Sequence, residues 1–205
     1  LFAVVTAFVV GTVGTLAIRP VHAPDAGSLA SAQTQPSPAR IAWRLPIVFQ
    51  TTMPVLGDNP VYLTQMIKAA SGGAIDLQIF EPGEIVPAFS ITDAVRDGKV
   101  SAGYTWLGYD QGKIPASPLI SAVPFGMEPW EYTAWWYEGN GRQLTEALYQ
   151  RYNIHPILCG ITGPETAGWF RRRIDSLDDV KGLKIRFAGL GGQVIERLGA
   201  SVTML

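Results

Sequence analysis

One arginine stands where a protein could hold a small anion. Arg186 follows Ile185 in a short run that is typical of a strand, and Gly189, Gly191 and Gly192 then lead into a predicted helix. In open α/β sheets, ligands collect beyond the carboxyl ends of the strands. A guanidinium there can hold a carboxylate through two parallel hydrogen bonds, and a helix amino terminus favours the same negative charge. The pattern therefore predicts anion binding rather than bond-making chemistry.

Two other interpretations of this stretch stay open. Arg186 could instead form a salt bridge with Glu196 or Asp179 at the edge of the core. The glycines could belong to a dinucleotide-binding loop, which also lies between a strand and a helix. Val194 occupies the place of the third glycine of that loop, so the sequence disfavours nucleotide binding.

Composition argues against several classes of function. The chain has 205 residues and a formal net charge of −1, which provides no basic field for nucleic acid or anionic lipid. Cys159 is the single cysteine, so neither a disulfide framework nor a zinc cluster is expected. Beyond the first 23 residues His155 is the only histidine, and its apolar surroundings predict a core position in a strand.

The sequence divides into four segments. Residues 1–23 begin with an apolar run and end in Val21 and Ala23, which suit the −3 and −1 positions of a signal-peptide cleavage site. An uncleaved membrane anchor is the alternative, because the run is close to spanning length. The first residue is Leu, so we expect the positively charged start of such a leader to lie further upstream. Residues 24–40 predict a flexible linker, residues 41–160 a first α/β domain, and residues 161–205 the start of a second, incomplete domain.

Short strands alternate with helices along the globular part, which predicts an α/β fold with a mixed or mostly parallel sheet. Strands are expected at residues 42–49, 75–80, 100–107, 155–161, 165–172, about 182–187 and from 199 onward, with a strand or extended run at 119–125. Helices are expected at residues 59–71, 90–97, 128–136, 142–152 and 191–198, with a helical turn at 176–181. Asn59, directly before Pro60, is the expected cap of the first helix.

Five motifs, in one order and spacing, resemble a known family. They are Gly83-Glu84-Ile85-Val86-Pro87, Ala94-Val95 with Gly98, Ala122-Val123-Pro124-Phe125, Gly168-Trp169-Phe170-Arg171 and Gly182-Leu183-Lys184-Ile185-Arg186. With them, the chain from about residue 42 onward resembles the periplasmic solute-binding subunit of a tripartite ATP-independent periplasmic (TRAP) transporter, the DctP family. The closest subgroup binds 2-oxo and 2-hydroxy monocarboxylates. The resemblance implies a periplasmic binding protein fold, two α/β domains with mixed sheets around a closing cleft. The chain would cross into the second domain near residues 159–163 and would be truncated within it.

The resemblance also implies a function and its partners. The protein would capture a small organic acid in the periplasm and deliver it to the membrane subunits of a TRAP permease, without catalysis. A homodimer is left open, and no nucleic acid is expected. An exported α/β enzyme acting on a carboxylic acid is the alternative, although the sequence contains no Gly-x-Ser-x-Gly nucleophile motif.

Two site residues follow from the resemblance. Arg186 matches the main carboxylate-binding arginine of the family. Through Gly168-Trp169-Phe170, Glu165 matches a position whose side-chain oxygen coordinates a metal ion that bridges to the substrate carboxylate; a subgroup member carries Gln there. A charged oxygen donor favours Ca²⁺ over Na⁺, or a contact through water. The alternative is a surface acid paired with a nearby arginine.

Thr105 is the third candidate, because it ends a predicted strand of the first domain. Its hydroxyl could bond the carboxylate or the 2-oxo oxygen of a ligand, a role that the subgroup resemblance supports, or it could satisfy its own strand end. Tyr104, Trp106 and Tyr109 are weaker candidates for pocket walls, because aromatic residues at this spacing more often belong to a core.

Arg171 is expected to be structural although it belongs to a run of three arginines. On one extended strand, Glu165 and Arg171 would lie about 20 Å apart at about 3.3 Å per residue. Both side chains therefore could not contact one small ligand unless the chain folded back.

Overall fold

Two short parallel sheets organise the part of the chain that the structure describes. The computed structural model describes residues 40–203, so the leader and almost all of the linker expected at the start lie outside the described residues. In the first sheet, β1 (Ile41–Pro46) pairs with β2 (Ile75–Phe80), with Ile41 opposite Ile75. In the second, β3 (Lys184–Arg186) pairs with β4 (Ser201–Thr203). Each pair is parallel, as the α/β pattern predicts.

Helix α1 (Asp58–Ala70) makes the crossover between β1 and β2 that a parallel pair requires. The helix ends at Ala70 and is followed after Ser71 by Gly72 and Gly73, whose φ angles of +58° and +82° lie in the left-handed region that glycine tolerates. Both strands and the end of this helix were predicted from the sequence, and the structure confirms them.

The predicted cap of α1 is wrong. The helix begins at Asp58, so Asn59 lies within its first turn rather than before it. The Asn59 amide instead donates from Nδ2 to the carbonyl oxygen of Cys159 at 3.1 Å. The side chain therefore ties the start of α1 to a distant part of the chain.

The predicted helices after α1 occur in the predicted order, and two unpredicted helices, at Leu107–Asp110 and Ser117–Ser121, lie among them. A 3₁₀ turn at Ala88–Ser90 leads into α2 (Ile91–Arg96), and a second 3₁₀ helix at Leu107–Asp110 precedes α3 (Ser117–Ser121). The later α-helices are α4 (Pro129–Tyr137), α5 (Gly141–Gln150) and α6 (Gly189–Arg197). The predicted helical turn before β3 is a 3₁₀ helix at Leu177–Val180, and α6 begins two residues before its predicted start.

Four predicted strands are not formed as expected. Residues 100–107 contribute a single bridge, between Tyr104 and Ile47, and residues 119–125 overlap α3 and then an irregular stretch. Residues 155–161 and 165–172 form no strand among the described residues, and His155, expected in the core, is exposed. A strand needs a neighbour for its backbone hydrogen bonds, and short apolar runs do not distinguish strand from helix.

The core draws its side chains from β1, α2, α4 and α5 and from the loops between them. The most buried apolar side chains are Leu45, Ile47, Ile91, Ile114, Trp136 and Tyr149. Within residues 40–203, no helix combines the length and apolar character needed to cross a membrane. The domain boundary expected at residues 160–161 stays a prediction.

Candidate functional site

Arg186 is the last residue of β3, as predicted, and its side chain is exposed. Its guanidinium donates from Nη2 towards the hydroxyl oxygen of Tyr109 at 3.5 Å, a long and weak contact. Among residues 40–203 Arg186 forms no salt bridge, with Glu196 or any other acid. Asp179, the other alternative partner, pairs with Arg172 at 3.4 Å. The positive charge of Arg186 is therefore not neutralised by the described residues.

Tyr109 belongs to a group of four aromatic side chains beside this arginine, which we call the aromatic cluster: Phe49, Phe89, Trp106 and Tyr109. The Tyr109 ring meets the rings of Phe89 and Trp106 edge to face, at centroid distances of 4.9 and 5.0 Å. Phe49 lies further away, at 6.4 Å. Such edge-to-face pairs hold a ring more firmly than area burial alone. The cluster therefore gives Tyr109 a defined place against Arg186.

The carboxyl ends of the strands bring these residues together. Phe49 follows β1, and Tyr104 pairs with the end of β1: its N–H donates to Pro46 O, and its carbonyl accepts from Val48 N–H, both at 3.0 Å. Trp106 comes two residues after that bridge. Arg186 stands at the carboxyl end of β3 in the second sheet. The contact between Tyr109 and Arg186 thus joins the carboxyl-terminal edges of both sheets, where ligands of open α/β sheets collect.

The amino terminus of α6 reaches the same place. Gly189 has a φ of +71°, and a Cβ atom there would lie 3.8 Å from the Trp106 ring. Ala188 precedes the helix and supplies no side-chain cap, so no side chain at that position satisfies the first-turn N–H groups. A guanidinium and a helix amino terminus side by side suit an anion such as a carboxylate.

Thr105 lies directly before Trp106 and is half-buried. In the described part of the chain its hydroxyl has no side-chain or backbone hydrogen-bond partner. The structure thus places Thr105 at the carboxyl end of the first sheet, one residue from the aromatic cluster. Its contact with a ligand stays a prediction.

Glu165 is not brought into contact with Arg186. It lies exposed in an irregular segment rather than on the expected strand, and it forms no ion pair among the described residues. Within residues 40–203, no group of three or more His, Cys, Asp or Glu side chains could hold a metal ion. A carboxylate oxygen is the donor that Ca²⁺ or Na⁺ prefers, so Glu165 suits one ligand position and not a whole coordination shell.

The arginine run after Glu165 serves the local fold. Arg172 donates from Nη2 to the backbone oxygen of Asp179 at 2.9 Å, and Arg173 donates from Nε to Asp175 at 2.5 Å. Ser176, with its hydroxyl and its N–H, and the Asp175 N–H all donate to the Asp179 carboxylate, and these bonds lower the pKa of Asp179. Two of the three arginines therefore brace the turn that leads into β3.

A buried polar pair lies beneath the aromatic cluster. Asp110 follows Tyr109 in the 3₁₀ helix and is 2% exposed, and its Oδ2 accepts a hydrogen bond from the Tyr149 hydroxyl at 3.1 Å. Burial raises the pKa of Asp110 and raises the pKa of Tyr149. Sequence analysis missed this pair and also Phe49 and Phe89. Phe49 ends the strand predicted at residues 42–49, and an aromatic residue at a predicted strand end was the one signal that could have found it.

A shallow depression elsewhere on the surface is a poorer candidate. Its lining includes Val86, Ser90, Asp93, Arg96 and Lys99, and none of the three predicted site residues. The charged groups there satisfy one another, as Arg96 pairs with Asp93 at 2.8 Å. Nothing in that lining is left to recognise a charged ligand.

Comparison with known proteins gives consistent matches. The sequence model of DctP, described as bacterial extracellular solute-binding protein family 7, matches residues 49–205. A monocarboxylate 2-oxoacid-binding periplasmic protein of Nostoc sp. (strain PCC 7120) is 38% identical over 143 residues, which are 70% of this chain and 39% of that protein. The chain therefore spans well under two thirds of the length of this relative.

Two solved structures share the fold. A TRAP periplasmic solute-binding protein from Pseudoalteromonas atlantica T6c, with bound sodium and pyruvate, has a TM-score of 0.78 and 34% identity, over 81% of this chain and 50% of its own. One from Bordetella bronchiseptica RB50, a mixed-occupancy dimer with copurified calcium and picolinate, has a TM-score of 0.79 and 28% identity, over 82% and 50%. These matches confirm the expected fold class, an α/β periplasmic binding protein.

Proposed function

Since the chain belongs to the DctP family of bacterial extracellular solute-binding proteins, we propose that it captures a small 2-oxo or 2-hydroxy monocarboxylate and delivers it to a TRAP membrane permease. The relative from Nostoc is named for 2-oxoacid binding, and the Pseudoalteromonas structure holds pyruvate, which supports this class of ligand. The chain covers 39% of the Nostoc protein and 50% of the Pseudoalteromonas protein, so substrate and partners are inferred by likeness.

One observation carries the proposal. The Arg186 guanidinium lies at the carboxyl end of β3, with a neutral tyrosine rather than an acid as its neighbour. An arginine without an acidic partner can offer two parallel N–H donors to a carboxylate, whereas a lysine cannot. The uncapped start of α6 lies beside it and favours the same charge. Thr105 would supply a hydroxyl to the carboxylate or to the 2-oxo oxygen.

Glu165 would contribute a carboxylate oxygen to a Ca²⁺ or Na⁺ ion next to the substrate. Related structures hold sodium with pyruvate and calcium with picolinate, which supports a metal ion in this role. Such an ion would neutralise part of the negative charge of the acid. The remaining ligands would come from the substrate, from backbone oxygens and from residues other than those described.

The protein would act outside the inner membrane and without catalysis. Its family consists of solute-binding proteins, and the Nostoc relative is periplasmic by name. Residues 1–23 would direct export, either as a cleaved signal peptide or as a retained anchor. Closure of the two domains on the ligand would present the loaded form to the permease. A homodimer is supported by the Bordetella protein, which is described as a dimer.

Calorimetry on the full-length protein tests the function. Pyruvate, lactate and longer 2-oxo acids are titrated with Ca²⁺, with Na⁺ and with chelator, and the recovered ligand is analysed for chemical change. We expect saturable binding in the micromolar to nanomolar range, about −8 to −12 kcal/mol, and an unchanged ligand. Conversion of the acid would instead support the exported enzyme, and no binding of any monocarboxylate would contradict both.

A further inference from the structure

The 3₁₀ helix at Leu107–Asp110 places two consecutive side chains in opposite surroundings. Tyr109 stands in the aromatic cluster and contacts Arg186, whereas Asp110 is turned into the core and is 2% exposed. Trp106, directly before the helix, packs across Gly108: a Cβ atom on that glycine would lie 2.2 Å from its ring. Any movement of this short helix would therefore move Tyr109 and Trp106 together.

Asp110 fixes the end of the 3₁₀ helix through hydrogen bonds of its side chain and its backbone. Its Oδ2 accepts a hydrogen bond from the hydroxyl of Tyr149, a fully buried residue of α5, at 3.1 Å. Its backbone oxygen accepts the N–H groups of Lys113 and Ile114 at 2.8 and 2.7 Å. The side chain thus ties the end of the 3₁₀ helix to α5, and the backbone oxygen closes the turn that directly follows the helix.

A contribution to folding stability does not by itself explain a buried carboxylate at Asp110. Among the described residues its carboxylate has no salt bridge, and the nearby ammonium of Lys113 pairs with Asp93. A buried carboxylate without a cationic partner costs several kcal/mol of desolvation, and an apolar residue of similar size is often as stable or more stable. The geometry therefore favours a role for Asp110 in positioning the 3₁₀ helix rather than in stabilising the fold.

We propose that Asp110 is a positioning residue of the carboxylate site. By holding the Tyr149 hydroxyl, it would fix the 3₁₀ helix so that Tyr109 and Trp106 stand beside Arg186 and the start of α6. The proposal rests on the proposed function, because it concerns the affinity for the bound acid. It assigns to Asp110 no contact with the ligand.

Three variants of the full-length protein test it, with pyruvate as the probe in calorimetry. Asp110→Leu removes the acceptor and is expected to weaken pyruvate binding about tenfold or more. Tyr149→Phe removes only the donor and is expected to weaken it about three- to tenfold, the range of one lost hydrogen bond. Asp110→Asn keeps an oxygen acceptor of the same shape and should retain the parent affinity within about threefold.

A structural control separates position from stability. Trp136→Leu alters a buried residue of α4 that belongs to no part of the site. It should lower the thermal midpoint and leave pyruvate affinity unchanged.

The proposal is overturned if folded Tyr149→Phe binds as the parent does, if Asp110→Asn is as weak as Asp110→Leu, or if affinity merely follows thermal stability across all four variants. Should Asp110→Leu not fold, Tyr149→Phe and Asp110→Asn decide. A parent protein that binds no monocarboxylate would refute the proposed function instead.

Discussion

The Arg186 guanidinium and the Tyr109 hydroxyl meet at 3.5 Å, although 77 positions separate them in the sequence. The contact joins a residue at the end of β3 to a 3₁₀ helix near the end of the first sheet. Tyrosine carries no opposite charge, so this long contact leaves the positive charge of the arginine without a counterion among the described residues. Arg186 thus differs from Arg172, which pairs with Asp179 in a salt bridge.

Replacement of Arg186 by lysine should weaken carboxylate binding strongly. Lysine keeps the charge but loses the two parallel N–H donors, and we expect a loss of about 2–4 kcal/mol in binding free energy. Calorimetry with pyruvate measures it, and Arg171→Lys is the matched control, because Arg171 is exposed and forms no ion pair among the described residues. An unchanged affinity for Arg186→Lys would remove this residue from the site.

Replacement of Glu165 by glutamine should change the metal dependence of binding. The amide keeps an oxygen donor without the negative charge that a divalent ion favours. The gain in pyruvate affinity on adding Ca²⁺ should therefore fall about tenfold relative to the gain on adding Na⁺. Glu138→Gln, an exposed acid at the end of α4, is the control. Equal calcium responses in both variants would exclude Glu165 as a metal ligand.

Much of the fold could be predicted from the sequence because it depends on local residue patterns. Strands β1 and β2, the glycines that end α1, and the strand-turn-helix stretch around Arg186 all depend on neighbouring residues, so their patterns predict them. Residues 155–161 look like a strand by the same criteria, yet strand formation depends on a partner that no local pattern reports. Among the described residues they have none.

The residues of the candidate site also divide into those that a local sequence pattern predicts and those that only tertiary packing brings together. Arg186 was predicted because its position at a strand end is a local property. Phe89 and Asp110 carry no such signal, since Phe89 reaches the aromatic cluster only through tertiary packing, and a buried acid in a sequence looks like any surface acid. Asp110 was found only from its burial and its bond to Tyr149.

Two glycines beside the aromatic cluster should respond differently to alanine. At Gly108 a Cβ atom would lie 2.2 Å from the Trp106 ring, whereas at Gly112 nothing lies within 4 Å. Gly108→Ala should therefore displace Trp106 and lower the free energy of unfolding by about 1–3 kcal/mol, as overpacking usually does. Gly112→Ala should be nearly neutral. Urea unfolding measures both, and similar effects at the two sites would show that Trp106 does not pack over Gly108.

The turn that precedes β3 should make the folding stability of the protein depend on pH in the acid range. Donors from Ser176 and Asp175 lower the pKa of Asp179 from its ordinary value of 3.8. The ionised form is favoured in the folded state, so this contribution is present above about pH 4 and is lost as the pH falls through the folded pKa. Asp179→Asn should therefore unfold at a lower temperature than the parent at pH 7, with the difference shrinking towards pH 2. Asp178→Asn, whose side chain is 84% exposed in the same turn, serves as the control. A difference between parent and Asp179→Asn that stayed constant with pH would show that the carboxylate charge does not stabilise the turn.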